Sequence, residues 1–170
     1  NNRRFASQGI QSTFSAEAAT GDFNHHVAVG ARVHFDRADR RRFEDAYQMI
    51  GGVLMRSARP EAKVLDSRAE TIALATFVED RVYWKRFQFA VGTRVELIDF
   101  RYADRLTQAQ NAGDYAVIIP GGGVEYTILE GFSALAGVHR GFVPVAPTAA
   151  SGVLPESSIN YEAGLRWRDR

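Results

Sequence analysis

The sequence predicts an all-β protein: an antiparallel transmembrane β-barrel segment of about seven strands, open in isolation, with long loops at one rim and short turns at the other. Three observations carry that reading. The first is a stretch from Phe87 to Tyr102 with an almost unbroken two-residue rhythm. Phe87, Phe89, Val91, Thr93, Val95 and Leu97 fall on one side, and Gln88, Ala90, Gly92, Arg94 and Glu96 on the other. Successive side chains of a strand point to opposite faces, so this is one strand with an apolar and a polar surface. The second is length: an ordinary strand runs about 5–6 residues, whereas one crossing a bilayer at a tilt needs roughly 9–11. The third is repetition. Phe23, His25, Val27, Val29, Ala31, Val33 and Phe35 alternate with Asn24, His26, Ala28, Gly30, Arg32, His34 and Asp36. Ile159, Tyr161, Ala163, Leu165 and Trp167 alternate in the same way with Asn160, Glu162, Gly164, Arg166 and Arg168.

Turn signals divide the chain into strands joined by connections that alternate short and long. The first strand reads as Arg4–Ala18, with Ile10, Phe14 and Ala16 on its apolar side. Gly21-Asp22 makes a tight turn into the second, Phe23–Ala38. A long polar connection, Asp39–Asp66, opens with the charged run Asp39-Arg40-Arg41-Arg42. Within it Phe43–Ala58 has partial helical spacing broken by Gly51-Gly52, which reads as loop with one helical turn. The third strand is Arg68–Val78, and a short turn near Glu79–Tyr83 leads to the fourth, which ends at Tyr102. A second long connection, Ala103–Ile118, carries the turn-like Asn111-Ala112-Gly113-Asp114. The fifth strand, Pro120–Tyr126, is the weakest, and Leu129-Glu130-Gly131 turns it into the sixth, Ser133–Phe142. Pro144, Pro147, Gly152 and Pro155 keep the third long connection, Val143–Ser157, out of helix and strand. The last strand is Ser158–Arg168. Alternation in the third, fifth and sixth strands is too irregular to assign their faces.

Composition narrows the function classes. A hydrophobic content of 45% excludes wholesale disorder, and 21 Lys+Arg against 20 Asp+Glu leave no bulk basicity for nucleic acid. With no cysteine, disulfides and thiolate metal sites are absent. No apolar run approaches the roughly 18 residues of a membrane helix. Barrel strands hide their hydrophobicity by alternation, so a mean hydropathy of -0.24 is compatible with membrane insertion. The N-terminal Asn1-Asn2-Arg3-Arg4 has no signal-peptide core, and the chain reads as an internal piece of a longer protein.

Three groups of residues resemble known sequences. They are Gly137-Val138-His139-Arg140-Gly141-Phe142-Val143-Pro144, then Leu154-Pro155-Glu156, then Asn160-Tyr161-Glu162-Ala163-Gly164-Leu165-Arg166. In that order they resemble TonB-dependent outer-membrane receptors, whose barrels repeat an Arg-Gly-Phe-x-Pro strand end, a loop, Pro-Glu and an Asn-Tyr-Glu-x-Gly-x-Arg strand. Gly30-Ala31-Arg32-Val33-His34-Phe35-Asp36 with Asp39-Arg40, and Pro120-Gly121-Gly122-Gly123, are similar to the ferric citrate and siderophore receptor branch. The resemblance implies that residues 1–170 are part of a barrel domain of about 22 strands, without its plug domain and remaining strands. It implies a Gram-negative outer-membrane transporter, not an enzyme, that imports a ferric chelate (ferric citrate or a siderophore) with TonB-supplied energy. The partners would be the chelate, TonB, the plug domain, outer-membrane lipid and lipopolysaccharide; no cofactor and no nucleic acid are implied. About seven strands cannot close a barrel, so function belongs to the parent protein. An alternative is a small outer-membrane barrel with a structural or adhesive role and no transport. Lipid-facing stripes this long argue against a soluble β-sandwich.

Candidate residues follow from face and position. An Arg facing lipid at mid-bilayer costs about 2–4 kcal/mol, so the polar side of each strand should face the lumen. That side holds Arg32, His34, Arg94, Glu96, Glu162, Arg166 and Arg168. Arg40, Arg41, Arg42 and Arg101 stand near the outer strand ends, with Tyr47 and Tyr102 nearby in sequence. Guanidinium forks match the carboxylates of anionic iron chelates, which makes these six the candidate ligand contacts. The competing role for the arginines is binding lipopolysaccharide phosphates or pairing with Asp39 and Glu44. His25 and His26 are adjacent on a strand, point to opposite faces and cannot chelate one metal ion together. No Lys-Ser/Thr follows Gly121-Gly122-Gly123, so it does not read as a phosphate loop, and no catalytic arrangement has motif context.

Overall fold

A computed structural model describes residues 2–149 and 152–169. Its strands are β1 (Asn2–Thr20), β2 (Phe23–Glu44), β3 (Tyr47–Ile50), β4 (Val53–Arg56), β5 (Ala62–Trp84), β6 (Phe87–Asp104), β7 (Gln110–Leu129), β8 (Phe132–Val143) and β9 (Glu156–Trp167). Seven form one open antiparallel sheet in the order β1-β2-β5-β6-β7-β8-β9, and β3-β4 is a separate hairpin. Each long strand therefore pairs with the next long strand in the chain, as short and long connections in alternation require. Residues 21–22, 85–86 and 130–131 make the short turns, while 45–61, 105–109, 144–149 and 152–155 lie at the other rim.

Register assigns a face to every strand of the seven-stranded sheet. One row runs Ile10–Val33–Leu74–Leu97–Ala116 across five strands, and another runs Phe89–Val124–Ala136–Ala163. These residues share the apolar face. The intervening row Gln11–Arg32–Ala75–Glu96–Val117 lies on the polar face. A single-layer sheet has no second layer to cover its apolar side, and Ile10 and Leu165 remain 76% and 70% exposed. The apolar band covers 23–35 on β2, 72–84 on β5 and 87–97 on β6. At its short-turn edge stands a row of rings: Phe23 5.7 Å from Trp84, Trp84 5.9 Å from Phe87, and Phe87 4.7 Å from Tyr126. Phe132 and Trp167, 5.6 Å apart, extend it on β8 and β9. Aromatic rows of this kind mark a membrane–water interface.

Several elements differ from the sequence reading, each for a physical reason. β5 continues to Trp84, and the turn is Lys85-Arg86, where Lys85 takes φ 52°. The charges that suggested a turn at 79–83 lie largely on the polar face, where Arg81 Nε and Glu79 Oε1 are 2.6 Å apart. The expected long connection 103–118 shrinks to residues 105–109. There the Asp104 carboxylate accepts from the amides of Leu106 (2.8 Å) and Thr107 (3.3 Å), which supplies the reversal. Asn111–Asp114 is strand. Gly113 stands opposite Phe100, whose ring fills the space a side chain would occupy, so this glycine marks close packing and not a turn.

The fifth strand, read as the weakest, is the 20-residue β7 with Pro120 inside it. Pro120 is tolerated because β8 begins pairing only at Gly121, leaving one edge of β7 free there. Arg140 Nη1 caps the Ile118 carbonyl at 3.2 Å just beyond. No helical turn forms in 43–58; Gly51 and Gly52, at φ 58° and 82°, instead close the β3–β4 hairpin. β1, β2, β6 and β8 run beyond the expected ends by one to several residues, while β9 starts two residues earlier, at Glu156, and stops one short, at Trp167. Within the third long connection, positions 150 and 151 lie outside the described residues.

Candidate functional site

The polar face carries the chemistry. Arg94 Nε bonds Glu96 Oε1 at 2.6 Å, two residues apart on one strand and so on one face. His34 Nε2 lies 3.2 Å from Ser7 Oγ and 3.1 Å from Asp36 Oδ1, and Arg32 stands opposite Gln11 and Ala75. Arg166 reaches across β8 to Glu125 on β7 at 2.7 Å, and Glu162 stands opposite Gly137. Arg168 follows the end of β9, where its amide donates to the Gly131 carbonyl at 2.8 Å. Between these charges is a hollow of about 480 Å³ floored by Gly92, Gly121 and Gly137 and walled by Phe77, Arg94, His139 and Glu162. Missing side chains make the hollow, because Gly92 pairs with Gly121 and Gly137 with Gly123.

Toward the long-loop rim the same face turns apolar. Ala75, Ile98, Phe100 and Val117 are the buried hydrophobic residues among those described, and all four share the polar-face register. The connection after β8 folds onto this patch. Asn111 Nδ2 donates to the Pro147 and Ala149 carbonyls at 3.1 and 2.8 Å, and the Val145 backbone hydrogen-bonds the Tyr115 side chain. Sequence reasoning missed this latch. By composition Asn111 belongs to a turn, and nothing local marks a strand Asn that holds a distant loop.

The candidate ligand contacts are divided by the register. Arg40 and Tyr102 lie on the polar face, opposite Ser67 and Ala69 respectively. Arg42, also on that face, is paired with Glu44. Arg41 points to the opposite face, 3.7 Å from Asp66, and Arg101 does the same, 3.7 Å from Asp99 and 76% exposed. Tyr47 stands on the separate hairpin, whose base is tied by the ion pair of Arg56 with Asp45. The six residues therefore do not form one cluster.

Beyond the apolar band, on its own face, two carboxylates organise the rim. Asp39 is bonded by Arg37 and Arg68, both at 2.8 Å, with Arg105 at 3.6 Å. Asp66, 6% exposed, takes Lys63 and Arg105 at 3.0 Å each. The hydrogen bond from Arg68 holds the Asp39 carboxyl below the usual carboxylate range, and Lys63 does the same for Asp66.

The family described as TonB dependent receptor-like, beta-barrel matches residues 1–170. Among solved structures the chain is similar to the ferric citrate transporter FecA in its unliganded form. The TM-score is 0.85 at 23% identity, covering 97% of this chain and 25% of that one. It is also similar to the siderophore receptor PiuA from Acinetobacter baumannii, with TM-score 0.76, 13% identity and coverage of 98% and 30%. A third similar structure is the alcaligin outer-membrane receptor FauA from Bordetella pertussis, at 0.72, 18%, 96% and 26%. The chain thus spans between a quarter and a third of the length of these proteins. No curated protein matches it.

Proposed function

The chain belongs to the TonB dependent receptor-like β-barrel family, and on that premise we propose that it is part of the wall of a Gram-negative outer-membrane receptor. The receptor binds and imports a ferric chelate, ferric citrate or a siderophore, with energy delivered through TonB. The family is one of receptors and transporters, not of enzymes. The observation that carries the reading is the division of seven long strands into one apolar and one polar face, continuous across the sheet. The apolar face meets lipid. Arg32, His34, Arg94, Glu96, Glu162, Arg166 and Arg168 line the lumen, where a plug domain packs against them and the glycine-floored hollow.

Ligand contact falls to the residues that share the lumen side of the long-loop rim: Arg40, Arg42 and Tyr102. An anionic chelate presents carboxylate oxygens there to the guanidinium forks. Arg41 and Arg101, turned outward and paired with acids, serve the rim or meet lipopolysaccharide phosphates.

The test is binding of radiolabelled ferric citrate to cells carrying the complete receptor. Arg40→Gln with Arg42→Gln should weaken binding at low ligand concentration, less so as added salt screens charges beyond about 8–10 Å. Arg101→Gln should leave it unchanged. Equal binding by the double variant and wild type at low salt would remove Arg40 and Arg42 from the site. No binding by wild type would move the substrate to another chelate.

A further inference from the structure

A hydrogen-bonded polar pair interrupts the apolar band. His25 Nδ1 lies 2.7 Å from Asp80 Oδ2, joining β2 to β5 on the apolar face. The other residues of that face on β2 from 23 to 35 are Phe23, Val27, Val29, Ala31, Val33 and Phe35. Both side chains of the pair are partly accessible, 26% and 28% exposed.

Position gives the first argument. His25 is the next same-face residue after Phe23, and Asp80 lies four residues before Trp84; both of those rings belong to the interfacial row. At about 3.3 Å per residue and a tilt near 40°, His25 sits roughly 5 Å and Asp80 roughly 10 Å inside that row. The row stands at headgroup level, so both Cα positions lie in the outer part of the hydrocarbon layer, and a polar tip snorkelling back toward the row comes within reach of lipid ester and phosphate oxygens.

Chemistry gives the second. A carboxylate only accepts, so Nδ1 carries the hydrogen of the 2.7 Å bond and Nε2 is left for an outside partner. Asp80 Oδ1 is buried and has no hydrogen-bond partner among the described residues, so the pair is not fully satisfied by the protein alone. A pair needed only for packing would hold its place better as two apolar residues. The polar-face histidines differ: His26 faces Glu17 at 3.8 Å, and His34 has Ser7 and Asp36.

We propose that His25, oriented by Asp80, is a lipid site on the outer wall at the short-turn rim: in its imidazolium form, balanced by the Asp80 carboxylate, Nδ1–H stays on Asp80 while Nε2–H donates to a phosphate or ester oxygen of a diacyl phospholipid. The proposal rests on the reading that the apolar face meets lipid, and the experiment separates the two. The complete receptor is delipidated in detergent and titrated with dioleoyl phosphatidylethanolamine or with dioleoylglycerol, which lacks phosphate. The first bound lipid is counted by native mass spectrometry. The variant is His25→Phe with Asp80→Val, which leaves no uncompensated charge and completes the apolar band.

The variant should insert normally, judged by heat-modifiable migration, and bind the first phospholipid about tenfold more weakly, the loss of one hydrogen bond to a charged group. His26→Gln, on the opposite face, should match wild type. Weak binding of dioleoylglycerol by wild type assigns the phosphate as acceptor; binding equal to that of the phospholipid assigns the ester. Equal phospholipid binding by wild type and the double variant overturns the site. Failure of wild type itself to insert overturns the membrane reading beneath it.

Discussion

Removing the Asn111 side chain should free the connection that follows β8. One amide holds two carbonyls, those of Pro147 and Ala149, at 3.1 and 2.8 Å. A typical net hydrogen bond contributes about 0.5–1.5 kcal/mol, so Asn111→Ala should cost about 1–3 kcal/mol of local stability. That shifts the opening equilibrium of the loop about 5- to 150-fold. Asn111→Asp should cost more, because its carboxylate has no N–H and would set negative charge against two carbonyl oxygens. The assay is amide hydrogen exchange on the complete receptor in micelles. The Ala149 amide, which donates to the Ala146 carbonyl at 2.8 Å within the same loop, is the reporter. Its exchange should accelerate by that factor in Asn111→Ala, while amides of β9 stay as protected as in wild type. Unchanged exchange at Ala149 in both variants would refute the latch, leaving the Tyr115–Val145 contact and apolar packing to hold the loop.

Three further outcomes are expected. Gly113→Val should disturb the outer half of the sheet by about 1–3 kcal/mol, because even a Cβ at Gly113 lies 3.0 Å from the Phe100 ring; thermal denaturation of the inserted protein measures it. Val95→Arg, on the apolar face, should destabilise insertion by about 2–4 kcal/mol, against almost nothing for Ala90→Arg on the polar face, in folding titrations into vesicles. Acid should loosen the rim: Asp39 and Asp66 have carboxyls held low by Arg68 and Lys63, so each favours the ordered rim fully above pH of about 4 and less as pH falls below it. Exchange at Arg105, whose amide donates to the Asp66 carbonyl at 2.7 Å, should rise at pH 3 relative to pH 6 once intrinsic rates are corrected.

Period-two alternation was enough to find the strands that cross the band, because lipid on one side and water on the other enforce it residue by residue. It was strongest at 23–35, 87–97 and 159–167, and those stretches lie in β2, β6 and β9. It failed where the enforcement stops. Above the band both faces meet water or protein, so Glu70, Arg68 and Asp66 sit on the same face as Leu74, and a charge no longer marks the polar side. Glycine misled for a related reason. In Asn111–Asp114 it is a turn signal by composition, yet Gly113 is a strand residue that makes room for a ring on the neighbouring strand, at Phe100, and that cross-strand packing has no local signature.

The same limit governs the site. Face follows from parity, so the register brings Arg40, Arg42 and Tyr102 to one side and sends Arg41 and Arg101 to the other. Three consecutive arginines read together as ligand contacts, but a strand cannot turn three neighbours one way. Had they lain in a loop, as the sequence suggested, all three could have converged. The extension of β2 to Glu44 is what divides them, and that extension is held by β5, which follows 17 residues of connection and hairpin later. The ionic rim makes the pairing hold: Arg41 and Lys63 both engage Asp66, and Arg37 and Arg68 both engage Asp39, so each acid binds a residue from each strand. Arginines on the apolar-side register thus keep the strands paired beyond the apolar band, and this pairing sets Arg40 and Arg42 on the polar face.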